Sequence, residues 1–235
     1  MSQAAIQAVV TAFEEHAYEQ AIILANALLE HNTTLPVLHQ SKGLSHLKLG
    51  QYEKATRSLR EVCRLNPDAA TAYFNLGLAQ KLAGQMEEAR ASFKVSDRLR
   101  PDHLGTQIEL AALSSKLGRQ KDAIDFYEAA IRIDPNQGSL YVDLGHAYTK
   151  RNAFLKAVKI YHKALDFYPT DKNIHYNIGL NLQKLGSLEQ SARAFRNVIR
   201  IDKMHVFAHA SLAEVYRDMS LDMEAVNSAT GKLLL

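Results

Sequence analysis

Residues 70–103 read ATAYFNLGLAQKLAGQMEEARASFKVSDRLRPDH, and this stretch decides the architecture. Before Gly84, apolar residues fall at helical spacing through Leu76, Leu78, Ala79 and Leu82. Between Gly84 and Pro101 a second helical segment carries Ala89 and Phe93. Glycine takes the left-handed conformation that closes one helix and opens the next. Proline lacks an N–H and clashes with the turn before it, so it ends the second helix. The stretch is a helix–turn–helix unit.

The same unit recurs along the chain. Pro67, Pro101, Pro135 and Pro169, four of the five prolines, stand 34 residues apart. A row of small residues runs Ala21, Ala55, Ala89, Ala123, Ala157, Ser191 and Ala225, and another runs Gly43, Gly77, Ala111, Gly145, Gly179 and Ala213. A turn row runs Gly50, Gly84, Gly118, Asn152, Gly186 and Ser220. Four rows in one register identify a repeat. The small rows let paired helices approach where larger side chains would force them apart. Such units stack side by side, so the chain reads as all-α, a right-handed superhelical solenoid of antiparallel helix pairs.

The series Ala72-Tyr73-Phe74-Asn75-Leu76-Gly77, Gly84, Ala89, Phe93 and Pro101 resembles the tetratricopeptide repeat. One solenoid is expected over 1–235. Clear repeats fall at 36–69, 70–103, 104–137, 138–171 and 172–205, with a degenerate repeat at 2–35 and an incomplete one at 206–235. The first repeat has Val9 in the small row and His16 where a turn glycine would stand, since terminal repeats expose one face to water. In the last, Leu233 and Leu235 continue the core rows of Ile199 and Ile201, and Leu234 takes the slot of Arg64, Arg98, Arg132 and Arg200. These three leucines are the expected self-association edge, giving a homo-oligomer.

Composition narrows the class. The chain has 235 residues, 47% of them hydrophobic, enough for a sizeable core. No run of 18 apolar residues exists, so membrane insertion is not expected. The N-terminus lacks a basic segment followed by an apolar one, and Cys63 is the single cysteine, which fits a reducing, cytoplasmic setting. Asn32-Thr33-Thr34 matches a glycosylation acceptor by pattern alone. A net charge of +3, without exposed aromatics among the basic residues, does not suit nucleic acid.

No catalytic constellation, phosphate-binding glycine loop or cofactor motif is present, and the expectation is a non-enzymatic protein without cofactor or metal. Cys63 falls on an inner row of the second helices and reads as a buried thiol. Among ten histidines, His205 and His209 have a metal-compatible spacing. However, His39, His175 and His209 share a row with Tyr73 and Tyr141, which reads as packing. Lys48, Lys81, Lys116, Lys150 and Lys184 precede the turns, where cations favour helix C-termini.

The resemblance implies that first helices line a concave groove for a protein or peptide partner. One inward row is Gln40, Phe74, Ile108, Val142 and Tyr176, with packing between repeats as the other reading. A polar row is Ser41, Asn75, Glu109, Asp143 and Asn177, and a third is Leu44, Leu78, Ala112, His146 and Leu180. Such an apolar track with a polar rail suits an extended or helical peptide. In grooves of O-linked N-acetylglucosamine transferases asparagines hold a peptide backbone; Asn75 and Asn177 match that position, while Glu109 and Asp143 interrupt it.

The stretch KGLSHLKLGQY at 42–52 also resembles the MamA family of magnetosome-associated scaffolds, which implies a self-assembled coat that recruits other proteins. Three readings stand: a peptide-binding scaffold, the recruiting arm of a larger enzyme such as a glycosyltransferase, and a MamA-like coat.

Overall fold

The computed structural model describes residues 3–31 and 34–231, with side chains through Ser220. The described residues form thirteen helices and no strand. The chain divides into two compact units, Met1–Leu117 and Gly118–Leu235.

The first unit holds α1 (Gln3–Glu14), α2 (Tyr18–Leu29), α3 (Pro36–Lys48), α4 (Tyr52–Leu65), α5 (Ala70–Leu82), α6 (Met86–Leu99) and α7 (Leu104–Lys116). The second holds α8 (Gln120–Ile133), α9 (Gly138–Lys150), α10 (Phe154–Leu165), α11 (Lys172–Lys184), α12 (Leu188–Ile201) and α13 (Val206–Gly231). Within each unit consecutive helices pack on one another.

The turns lie where the sequence puts them. Gly50, Gly84, Gly118 and Gly186 have φ between 71° and 80°, and Asn152 has 57°. His16, at the degenerate position, also takes the left-handed form, with φ 64°. At most of these turns the left-handed residue lets the next N–H reach back to a carbonyl of the finished helix: Gln51 to His46 at 2.8 Å, Gln85 to Gln80 at 2.8 Å, Ser187 to Leu182 at 2.9 Å.

The small rows are close contacts. A Cβ added at Gly77 would stand 2.7 Å from the Phe93 ring, at Gly145 2.5 Å from Tyr161, and at Gly179 2.6 Å from Phe195. The alanines Ala21, Ala55, Ala89, Ala123 and Ala157 are fully buried. Ser191, the exception in their row, is buried too and donates its hydroxyl to the Gly179 carbonyl at 2.7 Å.

The histidine row has a hydrogen-bonding role. Tyr141 donates to the Pro135 carbonyl at 3.0 Å, and the same geometry sets His175 Nε2 3.1 Å from the Pro169 carbonyl and His209 Nε2 2.9 Å from that of Lys203. Each ring ties a first helix to the link six residues before it. Cys63 is buried, and burial pushes its thiol up to about 11. Arg64, Arg98, Arg132 and Arg200 are exposed.

One turn is not where the row places it. α13 runs unbroken from Val206 to Gly231, through Ser220. Serine pays a steric cost in the left-handed form that glycine avoids, and the residues around it, Met219, Leu221, Met223 and Glu224, are helix formers. Leu233, Leu234 and Leu235 lie outside the described residues.

Candidate peptide-binding face

In the first unit the first helices α3, α5 and α7 carry Gln40, Phe74, Asn75, Ile108 and Glu109. Gln40 is exposed, and Phe74 and Ile108 are half-buried. The Phe74 ring packs at 5.7 Å on Phe93 and edge-on at 4.9 Å against His103, so it fills the space between repeats. Asn75 is half-buried, and among the described residues its amide has no protein partner. Lys81 on α5 donates to Glu109 on α7 at 2.6 Å, a partly buried ion pair linking successive first helices. The acidic residue that interrupts the asparagine row is thus neutralised by the lysine before the turn.

The second unit builds the equivalent face from α9 and α11. Tyr176 packs on Phe195 at 5.5 Å and on His205 at 5.3 Å, with its hydroxyl 3.3 Å from Ser211. Val142 is half-buried. Asn177 behaves differently from Asn75. Its Nδ2 donates to His146 Nε2 at 3.1 Å, across the two helices. Below it the buried Asn181 donates to the Asn177 carbonyl at 2.7 Å and accepts from the Thr149 hydroxyl at 3.0 Å. Two side-chain ties therefore join α9 to α11.

Asp143 and His146 reach solvent but are surrounded by enough protein to be partly desolvated. Burial lowers the imidazole's pKa, with Asp143 opposing and Lys150 adding to the shift. Burial raises that of the Asp143 carboxyl, against the attraction of His146. A partly desolvated acid and an imidazole that accepts a hydrogen bond give this stretch of α9 and α11 a polar surface. Lys81, Thr149 and Asn181 were not singled out as site residues by the sequence. The signal was there in part, because Lys81 belongs to the row of lysines that precede the turns.

The described residues contain no group of three or more side chains suited to a metal, and no helix long and apolar enough to cross a membrane. Two family models match, TPR repeat over residues 43–84 and tetratricopeptide repeat over 70–103, 106–137 and 173–203. No curated protein matches the sequence. Similar solved structures include YrrB, described as a TPR protein with an unusual peptide-binding site, at 19% identity and TM-score 0.70, covering 79% of this chain and 96% of that one. The MamA segment 41-end from Desulfovibrio magneticus RS-1 is 24% identical with TM-score 0.64, covering 72% and 96%. The C-terminal part of a TPR repeat-containing protein from Cytophaga hutchinsonii is 16% identical with TM-score 0.70, covering 83% and 78%.

Proposed function

The chain belongs to the tetratricopeptide repeat family, and from that premise we propose a non-enzymatic scaffold that holds an extended peptide on its first-helix face. The observation that carries this reading is the half-buried Asn75 amide, which has no protein partner among the described residues, on the same first helix that pairs with α7 through Lys81 and Glu109. An amide offers a donor and an acceptor together, which is what a passing peptide backbone needs. The apolar residues around it are held by packing between repeats, so the face is rigid before a partner arrives. A preformed face loses less entropy on binding. Capture by the intact protein, read by mass spectrometry, identifies partners, and Asn75→Ala then tests them. Undiminished capture by a variant of unchanged melting temperature would place binding on another surface.

A second reading, self-association through the C-terminal side, is supported by exposed apolar groups on the last helix. Val206 and Phe207 are 73% and 71% exposed, and Met204 just before them is 84% exposed. Corresponding positions in the preceding repeat hold Lys172 and Asn173. Light scattering across a concentration series, with Val206→Lys/Phe207→Lys as control, tests it. A wild-type mass that stays monomeric at high concentration rules it out.

A further inference from the structure

The second repeat carries an anomaly that the peptide face does not use. The row containing Lys42 continues as Leu76, Leu110, Leu144 and Ile178, all at most 5% exposed. Lys42 alone puts a charge into this core row, where it is half-buried. A charge in such a position is costly unless it meets an opposite one. No carboxylate meets it. It lines a cavity of about 450 Å³ between α2, α3 and α4, with Lys54, Arg57, His46, Ser58 and Asn26. Among the described residues Lys42, Lys54 and Arg57 make no ion pair, and the cavity wall contains no acidic residue.

The groups are arranged in depth. His46, 5% exposed, forms part of the floor, and its Nδ1 lies 2.8 Å from Gln51 Oε1. Ser58, also buried, adds a hydroxyl. Lys54 and Arg57 stand at the rim on α4, both exposed. Like charges face one another across the cavity: burial and then the Arg57 charge depress the Lys42 ammonium, and burial first, with the three cations adding to it against the Gln51 hydrogen bond, lowers His46.

We propose that this cavity is a binding site for a phosphate group, carried by a small soluble phosphate or by a lipid headgroup. The reason is stoichiometry of charge and donors. A single carboxylate would leave two of the three cations unmatched. A phosphate dianion offers more charge and several acceptor oxygens, to be met by a guanidinium fork, two ammonium groups and a hydroxyl. The cavity is large enough for a phosphate with an attached organic group, and Asn26 supplies a further polar wall. The site lies between the second helices α2 and α4, with α3 as its floor, so it is separate from the Asn75 face.

The test uses the intact chain in chloride buffer at constant ionic strength. Inorganic phosphate and pyrophosphate are titrated by calorimetry and by melting temperature. Sedimentation with phosphatidylcholine vesicles containing phosphatidic acid forms the second arm. Lys42→Leu restores the residue type of the row and is expected to fold at least as well, yet to bind at least about tenfold more weakly, a loss of about 1.4 kcal/mol. Arg57→Gln, at an exposed position, is expected to weaken binding with the fold unchanged. Saturable binding of soluble phosphates assigns a small-molecule source, and Lys42-dependent binding to vesicles alone assigns a headgroup. Equal responses to phosphate and chloride with no vesicle binding, or full binding by both variants, would overturn the proposal.

Discussion

Asn177 and His146 are joined by a 3.1 Å hydrogen bond in which the amide Nδ2 donates to the imidazole Nε2. An imidazole that accepts at Nε2 is neutral and carries its proton on Nδ1. The bond thus ties the register of α9 and α11 to the protonation state of one ring.

That tie makes stability depend on pH. Burial holds the folded pKa of His146 below its ordinary value of 6.5, so between those two values the unfolded chain binds more protons and stability rises with pH. Acidification below pH 6.5 is expected to destabilise the protein progressively, the loss being complete once the pH falls below the depressed value. His46, lowered by burial, acts in the same sense. Asp143, raised by burial, acts in the opposite sense but only above 3.8 and below its raised value. Urea unfolding at pH 7 and pH 5 should show the loss, and His146→Gln should reduce without abolishing it. A ring titration midpoint for His146 at or above 6.5 would contradict this account.

The two small-residue rows predict steric costs. Gly145→Ala places a Cβ against the buried Tyr161 ring and should destabilise by about 1–3 kcal/mol through overpacking. Ala123→Leu, at a fully buried site, should cost a similar ~1–3 kcal/mol. Gly84→Ala meets no atom within 4 Å, and its cost is only the strain of a side chain at φ +80°, roughly 1–2 kcal/mol. Thermal unfolding of the three variants gives the comparison.

The two asparagines should separate on mutation. Asn75→Ala breaks no internal bond and should weaken a captured peptide by about 0.5–1.5 kcal/mol with the melting temperature unchanged. Asn177→Ala also frees His146, so it should lower the melting temperature and raise the ring's pH midpoint toward that of an open imidazole. Identical behaviour of the two variants would contradict their different settings.

Lys81 and Glu109 should show a modest coupling. Their side chains are 33% and 21% exposed, so solvent screens the pair and a double-mutant cycle should return about 1 kcal/mol or less. Raising the salt concentration should reduce the value.

Cys63 should be inert. With its thiol pushed up to about 11 and its side chain buried, little thiolate is present at neutral pH. Alkylation by iodoacetamide should therefore be slow in the folded protein and rapid in denaturant.

The fold was legible because its determinants are local and periodic. A turn glycine, a buried alanine and a link proline each act within a few residues, and their spacing repeats. Even His16, which the pattern marks as a departure, adopts the left-handed turn. Ser220 shows the limit of such reading, since nothing at that position obliges the helix to stop. The site was less legible because it depends on pairings across helices. Sequence rows place Glu109 and Asn177 on one face, but not the lysine that neutralises the first or the histidine that holds the second. Lys42 was visible as a lysine in a leucine row. Its meaning depends on Lys54 and Arg57, which only the packing of α4 beside α3 brings to it.

The left-handed turns at Asn152 and Gly186 make the second unit divisible. They close successive helix pairs at the same register position, and the glycines Gly145 and Gly179 each receive an aromatic ring from the helix that follows. Excising residues 153–186 would join Asn152 directly to Ser187 and deliver Phe195 to Gly145 in place of Tyr161. The shortened chain is expected to remain helical and cooperative, losing one helix pair's worth of stability and the His146–Asn177 tie with it. Length in this molecule is an adjustable property, set by counting, and helix-pair faces can be added or removed as whole modules.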